Sequence, residues 1–369
     1  MRSQIKVFWS IHKSGSMQSI VSDSYSVHFE NIAFEALNSH LSSNNYSSIY
    51  ILVDENTHEL CLPLFMSEIV GDYNFEIIEI ESGEINKTIE TCVGVWEALS
   101  ELGADRKSLL INLGGGVLTD LGGFVASTFK RGIKFINVPT TLLSMVDASV
   151  GGKTGVDLGP LKNQIGVINQ PEMVLIITDF LETLNERQIT SGYAEMLKHG
   201  LIRSADYWES LKKVSSLYEL RGHILPSVAI KNDIVLQDPT EQNIRKVLNY
   251  GHTLGHAIES YFLENEHKET LLHGEAIAIG MITEGYLSYK LTGLPRTQLE
   301  DIKATFLKYY SKVAFSAKDI KDILDLLKYD KKNSHGNINF VLLKEIGETS
   351  IDVTISPNLL EEAFAYYKE

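Results

Sequence analysis

The chain has 369 residues, 44% of them hydrophobic, which is enough for two domains that each bury a core. Its formal net charge of −15 argues against nucleic acid or an anionic membrane as a partner, so an anionic ligand would need a local cluster of cations. The two cysteines lack metal-ligand and redox spacing, no apolar run approaches the ~18 residues of a membrane span, and the N-terminal residues lack the apolar core of a signal peptide; we therefore expect a cytoplasmic protein.

Short apolar runs alternate with helical patterns between about residues 48 and 178. They are rich in Ile and Val and apolar on both faces, which predicts buried parallel strands. The runs are SSIYILV before Asp54, FEIIEI before Glu81, SLLINL before Gly114, IKFINV before Pro139 and VLIIT before Asp179. Between two of them lies an amphipathic helix from Ile89 to Leu99. The pattern predicts a Rossmann-like α/β domain with a parallel sheet over residues 1–178.

Helical patterns dominate the chain after about residue 180. They cover residues 190–203, 205–214, 220–236, 243–264, 271–293, 297–310 and 317–328, and one later apolar stretch, 338–343, can form a strand. This predicts a second, mostly α-helical domain over residues 179–369. Because clefts between domains are common ligand sites, we expect the functional site between the two.

A glycine-rich turn follows one of the predicted strands directly. Gly114 and Gly115 end the run LLINL, and Asp120 lies just beyond them. A strand that leads through glycines into a helix offers free backbone N–H groups, which suit a pyrophosphate. The spacing is not G-x-G-x-x-G, but Asp54 and Glu84 follow two other strands, and strand carboxyl ends share one edge of such a sheet. Together the three loops predict a dinucleotide site.

A second group of residues has the composition of a metal site. His252 and His256 are four residues apart, which places them on one face of a helix. His273 supplies a third histidine, and Glu195 a carboxylate. Two histidines and a carboxylate with an open position are a common catalytic set. Spacing alone leaves open whether His252 and His256 are both ligands.

Cations concentrate around a loop-rich segment between residues 138 and 163. Lys153 follows two glycines, and Lys162 is followed by Asn163, so charge, bare backbone N–H groups and a neutral donor occur together, as an anion site requires. Further cations fall in or beside the same motifs: Arg131, Lys198, Lys231 and Arg245.

These segments together resemble the dehydroquinate synthase family, within the wider sugar-phosphate cyclases. The matching strings are GGGVLTDLGGFVAS, RGIKFINVPTTLLSMVDASVGGKTGVD, KNQIGVINQP, GYAEMLKHGLI, RKVLNYGHTLGHAIE and LLHGEAIAIGM. They run in the family's order from about residue 54 to 343. The resemblance implies an NAD-binding α/β domain followed by a helical domain that binds a divalent metal, zinc or cobalt.

The resemblance also assigns roles to residues. It implies Glu195, His252 and His273 as metal ligands, and it places His256 on the substrate side. The other implied substrate positions are Asp147, Lys153, Asn163, Lys198, Lys231, Arg245, Asn249 and one of Lys331 and Lys332. Arg131 matches an arginine that reaches the phosphate of a neighbouring subunit, which implies a homodimer. The implied NAD positions are Asp54, Asn56, His58, Glu84, Lys87, Gly114, Gly115, Asp120, Thr140, Thr141, Lys162, Thr183 and Leu184.

The family reaction converts 3-deoxy-D-arabino-heptulosonate 7-phosphate to 3-dehydroquinate and phosphate. It implies transient oxidation by NAD at C5, elimination of phosphate, re-reduction, ring opening and an intramolecular aldol. In this reading Arg245 and Asn249 suit the substrate carboxylate, and Lys153, Asn163, Lys231 and Arg131 suit its phosphate. The alternatives are a sister cyclase for a neutral sugar phosphate, of the 2-deoxy-scyllo-inosose or 2-epi-5-epi-valiolone synthase type, a metal-dependent polyol dehydrogenase, and a binding protein without activity.

Overall fold

The computed structural model describes residues 19–159, 161–327 and 338–369. The first part of the chain contains strands β1 (Ile20–Val21), β2 (Ser26–Phe29), β3 (Ile49–Asp54), β4 (Phe75–Ile80), β5 (Leu109–Gly114), β6 (Lys134–Pro139), β7 (Lys153–Leu158), β8 (Leu161–Ile168) and β9 (Met173–Ile176). Its helices are α1 (Asn31–Ser43), α2 (Glu55–Leu60), α3 (Leu62–Ser67), α4 (Ile89–Glu101) and α5 (Gly116–Thr128). All five predicted strands are present.

The main sheet has the strand order β1-β2-β9-β6-β5-β3-β4. Its strands are parallel except for β1, which pairs antiparallel with β2. Both faces are buried: Ile51 and Val53 of β3 pack on one side, and Tyr50 and Leu52 on the other. Alternate residues of one strand can both be apolar only where helices cover both faces, which explains the continuous apolar runs. The Rossmann-like prediction is confirmed.

The later part of the chain is mostly helical. Its helices are α6 (Glu186–Arg203), α7 (Ala205–Leu211), α8 (Leu217–Gln237), α9 (His252–Glu264), α10 (His273–Leu291), α11 (Arg296–Tyr309), α12 (Ala317–Leu326) and α13 (Pro357–Lys368). One apolar core continues from Val138 in the sheet to Leu197 in α6 and Phe306 in α11. The division between residues 178 and 179 stays a prediction, because this core extends across it.

Three local features differ from the sequence prediction. The helix predicted over 243–264 is broken: a 3₁₀ turn, Ile244–Asn249, precedes α9, and Gly251 between them has a φ of 80°. Left-handed backbone of this kind favours glycine and ends a helix. The later part of the segment predicted to be loop-rich, from Lys153 onwards, instead belongs to the antiparallel hairpin β7–β8. The predicted strand 338–343 is β10 (Asn339–Glu345), and it pairs with β11 (Glu348–Thr354), which the pattern did not show.

Gly274, the second residue of α10, permits a close approach of α10 to α6. An alanine Cβ at this position would overlap the backbone carbonyl group of Ser191. Because backbone cannot rotate aside, we expect Gly274→Ala to lower the free energy of unfolding by about 3 kcal/mol and to displace the neighbouring His273. Urea denaturation measures the change.

Gly222→Ala is the control for that substitution. Gly222 lies inside α8 with open space around it, so the added methyl group should raise stability by about 0.5–1 kcal/mol through helix propensity. Equal urea midpoints for the two variants would contradict the close approach of α10 to α6.

In the three described ranges, no helix combines the length and the apolar character that a membrane crossing needs.

Candidate active site

A cleft of about 1220 Å³ opens at the carboxyl edge of the sheet and extends to the first residues of α9 and α10. Most of the residues singled out in the sequence line it. They are Asp54, Asn56, Glu84, Lys87, Gly115, Asp120, Thr140, Thr141, Asp147, Lys153, Lys162, Asn163, Thr183, Leu184, Lys198, Lys231, Arg245, Asn249, His252, His256 and His273. The cleft therefore joins the predicted dinucleotide, cation and metal clusters in one space.

Four of the predicted residues are not part of the lining. Glu195 is completely buried in the adjacent wall. Gly114 is the buried last residue of β5, and His58 forms an ion pair with Glu79 outside the cleft. Arg131 is exposed, in a 3₁₀ turn after α5. Lys331 and Lys332 lie outside the described residues.

The predicted metal ligands converge from three helices. Glu195 projects from α6, and His252 and His273 are the first residues of α9 and α10. One nitrogen or oxygen atom from each lies within 4.8 Å of the other two. The Nε2 atoms of His252 and His273 lie 3.5 and 3.4 Å from Oε1 of Glu195. Three donor atoms from separate elements thus surround one point, as a cation site requires.

His256 lies beside this cluster, one turn along α9 from His252. Its ring centroid is 5.1 Å from that of His252 and 5.8 Å from that of His273. Nitrogen and oxygen atoms of His256, Glu259 and His273 also lie within 4.8 Å of one another. Distances in the structure therefore allow either triad, and the choice of His252 as the ligand stays a prediction.

The Glu195 carboxylate is fully buried and forms an ion pair with Lys198, one turn along α6. Burial, the largest single effect, would raise the pKa of Glu195, but the charge of Lys198 together with the hydrogen bond and charge of His273 lowers it more, so the pKa lies below its ordinary value. The carboxylate is therefore ionised, and it provides a negative charge for a metal ion in a dry wall of the cleft.

Two ion pairs organise the cation cluster. Lys231 of α8 donates to Oδ1 of Asp147 at 2.6 Å and also to its backbone carbonyl. Lys153 of β7 pairs with Glu241, and the other carboxylate oxygen of Glu241 accepts from Nδ2 of Asn249 at 2.7 Å. Lys153 and Asn249, assigned above to opposite ends of the substrate, are therefore joined by one carboxylate.

Arg245 is only 2% exposed. Its guanidinium donates to the backbone oxygens of Pro239 at 2.6 Å and Gly151 at 3.0 Å. The bond to Gly151 holds the turn that leads into β7, where Lys153 lies, so Arg245 supports the cation cluster as well as bordering the cleft.

The predicted nucleotide edge is held by its own hydrogen bonds. Oδ1 of Asp54 accepts the backbone N–H of Thr57 at 2.8 Å and so caps α2. Gly115 precedes α5 with no side-chain cap, which leaves the first N–H groups of that helix facing the cleft. Lys87 is buried and donates to Asp120 at 2.6 Å and Asn163 at 2.7 Å. This edge thus presents N–H groups and carboxylates together, the combination that binds a dinucleotide.

Two carboxylates in the site were missed by the sequence reasoning. Glu259 accepts from Nδ1 of His273 at 3.1 Å. It follows His252 by seven residues on α9, a spacing that returns to the same helix face and could have revealed it. Glu241 lies in an irregular turn with a φ of 60°, and nothing in its spacing indicated a role.

His199, beside Lys198 on α6, is fully buried with Nδ1 2.8 Å from Oγ of Ser227. Burial first, and then the charge of Lys198, lower the pKa of His199 from 6.5 to about 3. As the pH falls, His199 is therefore protonated in the unfolded chain before it is protonated in the folded protein. The stability that neutral His199 contributes is fully present above pH 6.5 and is lost as the pH falls towards about 3.

We expect this histidine to make metal-free protein sensitive to acid. Between pH ~7.5 and ~5, the wild type should lose about 2 kcal/mol more unfolding free energy than His199→Asn, which keeps a polar partner for Ser227 but does not titrate. Urea titrations in a chelator across this range measure the difference. If the unfolding free energy of the two proteins changes in parallel with pH, His199 is protonated equally in the folded and unfolded states, which would contradict the prediction.

The chain matches family models over most of its length. Models described as the N-terminal and C-terminal parts of 3-dehydroquinate synthase match residues 77–191 and 192–333. A 3-dehydroquinate synthase from Parabacteroides distasonis is 45% identical over 337 residues, covering 89% of this chain and 94% of that protein. Another, from Sulfurovum sp., is 42% identical over 296 residues, covering 80% of this chain and 83% of that protein.

Solved structures share the fold. A 2-deoxy-scyllo-inosose synthase complexed with carbaglucose-6-phosphate, NAD⁺ and Co²⁺ superposes with a TM-score of 0.80 at 24% identity, covering 94% of this chain and 98% of that chain. A 2-epi-5-epi-valiolone synthase from Streptomyces hygroscopicus with NAD⁺ and Zn²⁺ bound gives 0.79 at 24% identity, covering 96% and 99%. A probable glycerol dehydrogenase from Sinorhizobium meliloti gives 0.61 at 13% identity, covering 95% and 98%. The structures establish the fold, and the sequence relatives establish the family: the chain is an enzyme of the 3-dehydroquinate synthase family.

Proposed function

We propose that the cleft converts 3-deoxy-D-arabino-heptulosonate 7-phosphate to 3-dehydroquinate and inorganic phosphate, using NAD and one divalent ion. The observation that carries this proposal is the meeting of three clusters in one cleft: a buried carboxylate with histidines, paired lysines, and the open N-terminus of α5. A polyol dehydrogenase would need the metal donors and the N-terminus of α5 but no phosphate-binding site. The paired lysines therefore favour a phosphate-releasing cyclase.

The residues present fit both cofactors. Glu195 is an ionised, buried carboxylate facing two histidine nitrogens, which is a donor set for zinc or cobalt. Gly115 has no side chain to cover its backbone and lines the cleft, and an alanine Cβ there would lie 3.1 Å from Thr141, so this position favours glycine and suits a close ligand. When bound, NAD accepts and returns a hydride, and the divalent ion acidifies the hydroxyls of the substrate.

The chain's own residues bind and orient the substrate in this proposal. Lys153 and Lys231 hold the phosphate, and Asp147 fixes the Lys231 ammonium by the 2.6 Å hydrogen bond. Arg245 and Asn249 are assigned to the substrate carboxylate. Without substrate, the carboxylate of Glu241 accepts from both Lys153 and Asn249. The two anionic groups of the substrate must therefore replace Glu241 at these donors.

Proton movement in the proposed reaction involves the region between Lys198 and His256. Lys198 is 1% exposed, pairs with Glu195 and borders the cleft, and we assign its ammonium to the reacting hydroxyls. His256 borders the same space. Because the site lies between the sheet edge and the helices, movement of one wall towards the other would exclude water from the intermediates.

A homodimer is also part of this proposal. Arg131 is exposed and does not line the cleft of its own chain, so its assigned contact with a phosphate requires a second copy. Sedimentation equilibrium tests the assembly, and a monomer at assay concentrations would remove Arg131 from the site.

The deciding experiment follows phosphate release and NADH absorbance together, with metal-loaded protein, catalytic NAD and the heptulosonate phosphate. Many phosphates released for each NAD, without lasting NADH, support the proposal. Release only from a neutral heptulose or hexose phosphate would identify a sister cyclase. Stoichiometric NADH from a polyol, without phosphate release, would identify a dehydrogenase and overturn the assignment of the lysines.

A further inference from the structure

A continuous series of charged side chains connects the nucleotide edge with the metal cluster. Glu84, in the 3₁₀ turn after β4, accepts from Lys162 of β8 at 2.8 Å. The same lysine ammonium lies 3.5 Å from Oε1 of Glu259 on α9. Oε2 of Glu259 lies 3.1 Å from Nδ1 of His273, the first residue of α10. Four separate elements thus contribute one side chain each.

Glu259 uses its two oxygens for different partners. A carboxylate only accepts, so Nδ1 of His273 carries the proton and donates to Oε2. The other ring nitrogen, Nε2, is then the one that faces Glu195, at 3.4 Å. Such a carboxylate fixes the tautomer and the orientation of a ligating histidine and increases its basicity. Because only 7% of its surface is exposed, Glu259 has little room to move to another partner.

Lys162 is shared between carboxylates. Besides Glu84 and Glu259, Asp157 lies 3.5 Å from its ammonium, and the lysine side chain is only 6% exposed. A ligand that draws the ammonium away from Glu259 would leave that carboxylate with more negative charge to offer His273. The histidine would then become a stronger electron donor at Nε2.

We propose that Glu259 is the positioning residue of His273, and that Lys162 couples the affinity for the divalent ion to occupancy of the nucleotide site. This rests on the proposed function, in which Glu84 and Lys162 belong to the NAD site. NAD binding shifts Lys162 from Glu259 towards the nucleotide, and the ion is then bound more tightly. By linkage, the ion tightens NAD binding by the same factor.

The test is a binding cycle on the full chain. Metal-stripped protein is titrated with Co²⁺ against a competing chromogenic chelator, with and without saturating NAD, and the Kd for NAD is measured with and without Co²⁺. In the wild type we expect NAD to lower the Kd for Co²⁺ by about 5-fold or more, with equal reciprocal tightening. An unchanged or raised Kd would overturn the coupling.

Glu259→Gln separates positioning from general stability. We expect the Kd for Co²⁺ to rise by about 10- to 100-fold and the effect of NAD to fall to about 1-fold, because the amide neither holds Nδ1–H as strongly nor responds to Lys162. Asp319→Asn is the matched control: Asp319 is also buried and paired with a lysine, Lys268 at 2.7 Å, and it contacts Tyr261 of the same helix α9. Both values should match the wild type in this control.

Two outcomes of these variants overturn the proposal: a Kd for Co²⁺ in Glu259→Gln within about 3-fold of the wild type, or an equal rise in Asp319→Asn. Circular dichroism and urea midpoints verify that both variants fold. Failure of the proposed function gives a different result, since wild-type protein would then show the coupling but release no phosphate from the heptulosonate phosphate.

Discussion

His252→Ala is expected to weaken binding of a divalent ion by more than about 100-fold and to lower turnover by about 10³-fold or more. The histidine supplies one of three candidate donor atoms, the others coming from Glu195 and His273, and a shortened side chain removes that donor. Titration of metal-stripped protein with Zn²⁺ or Co²⁺ against a chelator measures affinity, and phosphate release measures turnover.

His256→Ala is the matched control, since both histidines lie on the same face of α9 and their rings are 5.1 Å apart. We expect this variant to keep metal affinity within about 3-fold of the wild type while turnover falls, because the role proposed for His256 is contact with the substrate. The reverse result, with metal lost in His256→Ala and kept in His252→Ala, would assign the ion to His256, Glu259 and His273 instead.

Lys198→Met is expected to destabilise the metal-free protein by about 3–5 kcal/mol, because it leaves the fully buried Glu195 carboxylate without its cation. A bound divalent ion supplies positive charge to the same carboxylate. The loss should therefore shrink to about 1–2 kcal/mol in saturating Zn²⁺, and metal affinity should rise accordingly. Turnover should still fall by about 10²-fold or more, since the ammonium is also proposed to contact the reacting hydroxyls.

Urea denaturation in chelator and in saturating Zn²⁺ tests this prediction, with Lys303→Met as the control. Lys303 is also buried, and it donates to the backbone oxygen of Tyr366 at 2.6 Å, away from the metal cluster. Its substitution should cost the same stability with and without metal. A Lys198→Met effect that is likewise independent of metal would show that the lysine and the ion do not share Glu195.

The parallel sheet could be predicted from the sequence because its strands are buried on both faces. In β5, the strand that ends at Gly114, every residue is buried and all but Asn112 and the terminal glycine are apolar, a pattern that fits a strand covered by helices on both faces. The hairpin β7–β8 could not be predicted in this way. Its residues are glycine-rich and half-polar, and Gly155 and Gly166 are needed because their backbones face each other across the hairpin.

Part of the site could likewise be predicted from the spacing of residues along the chain. His252 and His256 are close in sequence, so helical spacing alone places them on one face. Glu195 is far from both in sequence. The packing of α6 and α9 against α10 brings its carboxylate beside His252 and His273, and the resemblance to a family supplied that residue before the structure did. Glu241 has neither advantage, because its partner Lys153 lies on another element. Glu259 shares a helix face with His252, but its partner His273 lies on α10.

The sequence by itself determined the secondary structure classes, the dinucleotide edge and the residue types of the site, because those follow from local periodicity and from motifs of consecutive residues. Only the tertiary structure decided which charges face each other: Lys153 with Glu241, and Lys162 with Glu259. The physical reason is that ion pairing in a low-dielectric cleft depends on distances of a few ångströms between separate elements. Those distances are set by how the helices pack against the sheet.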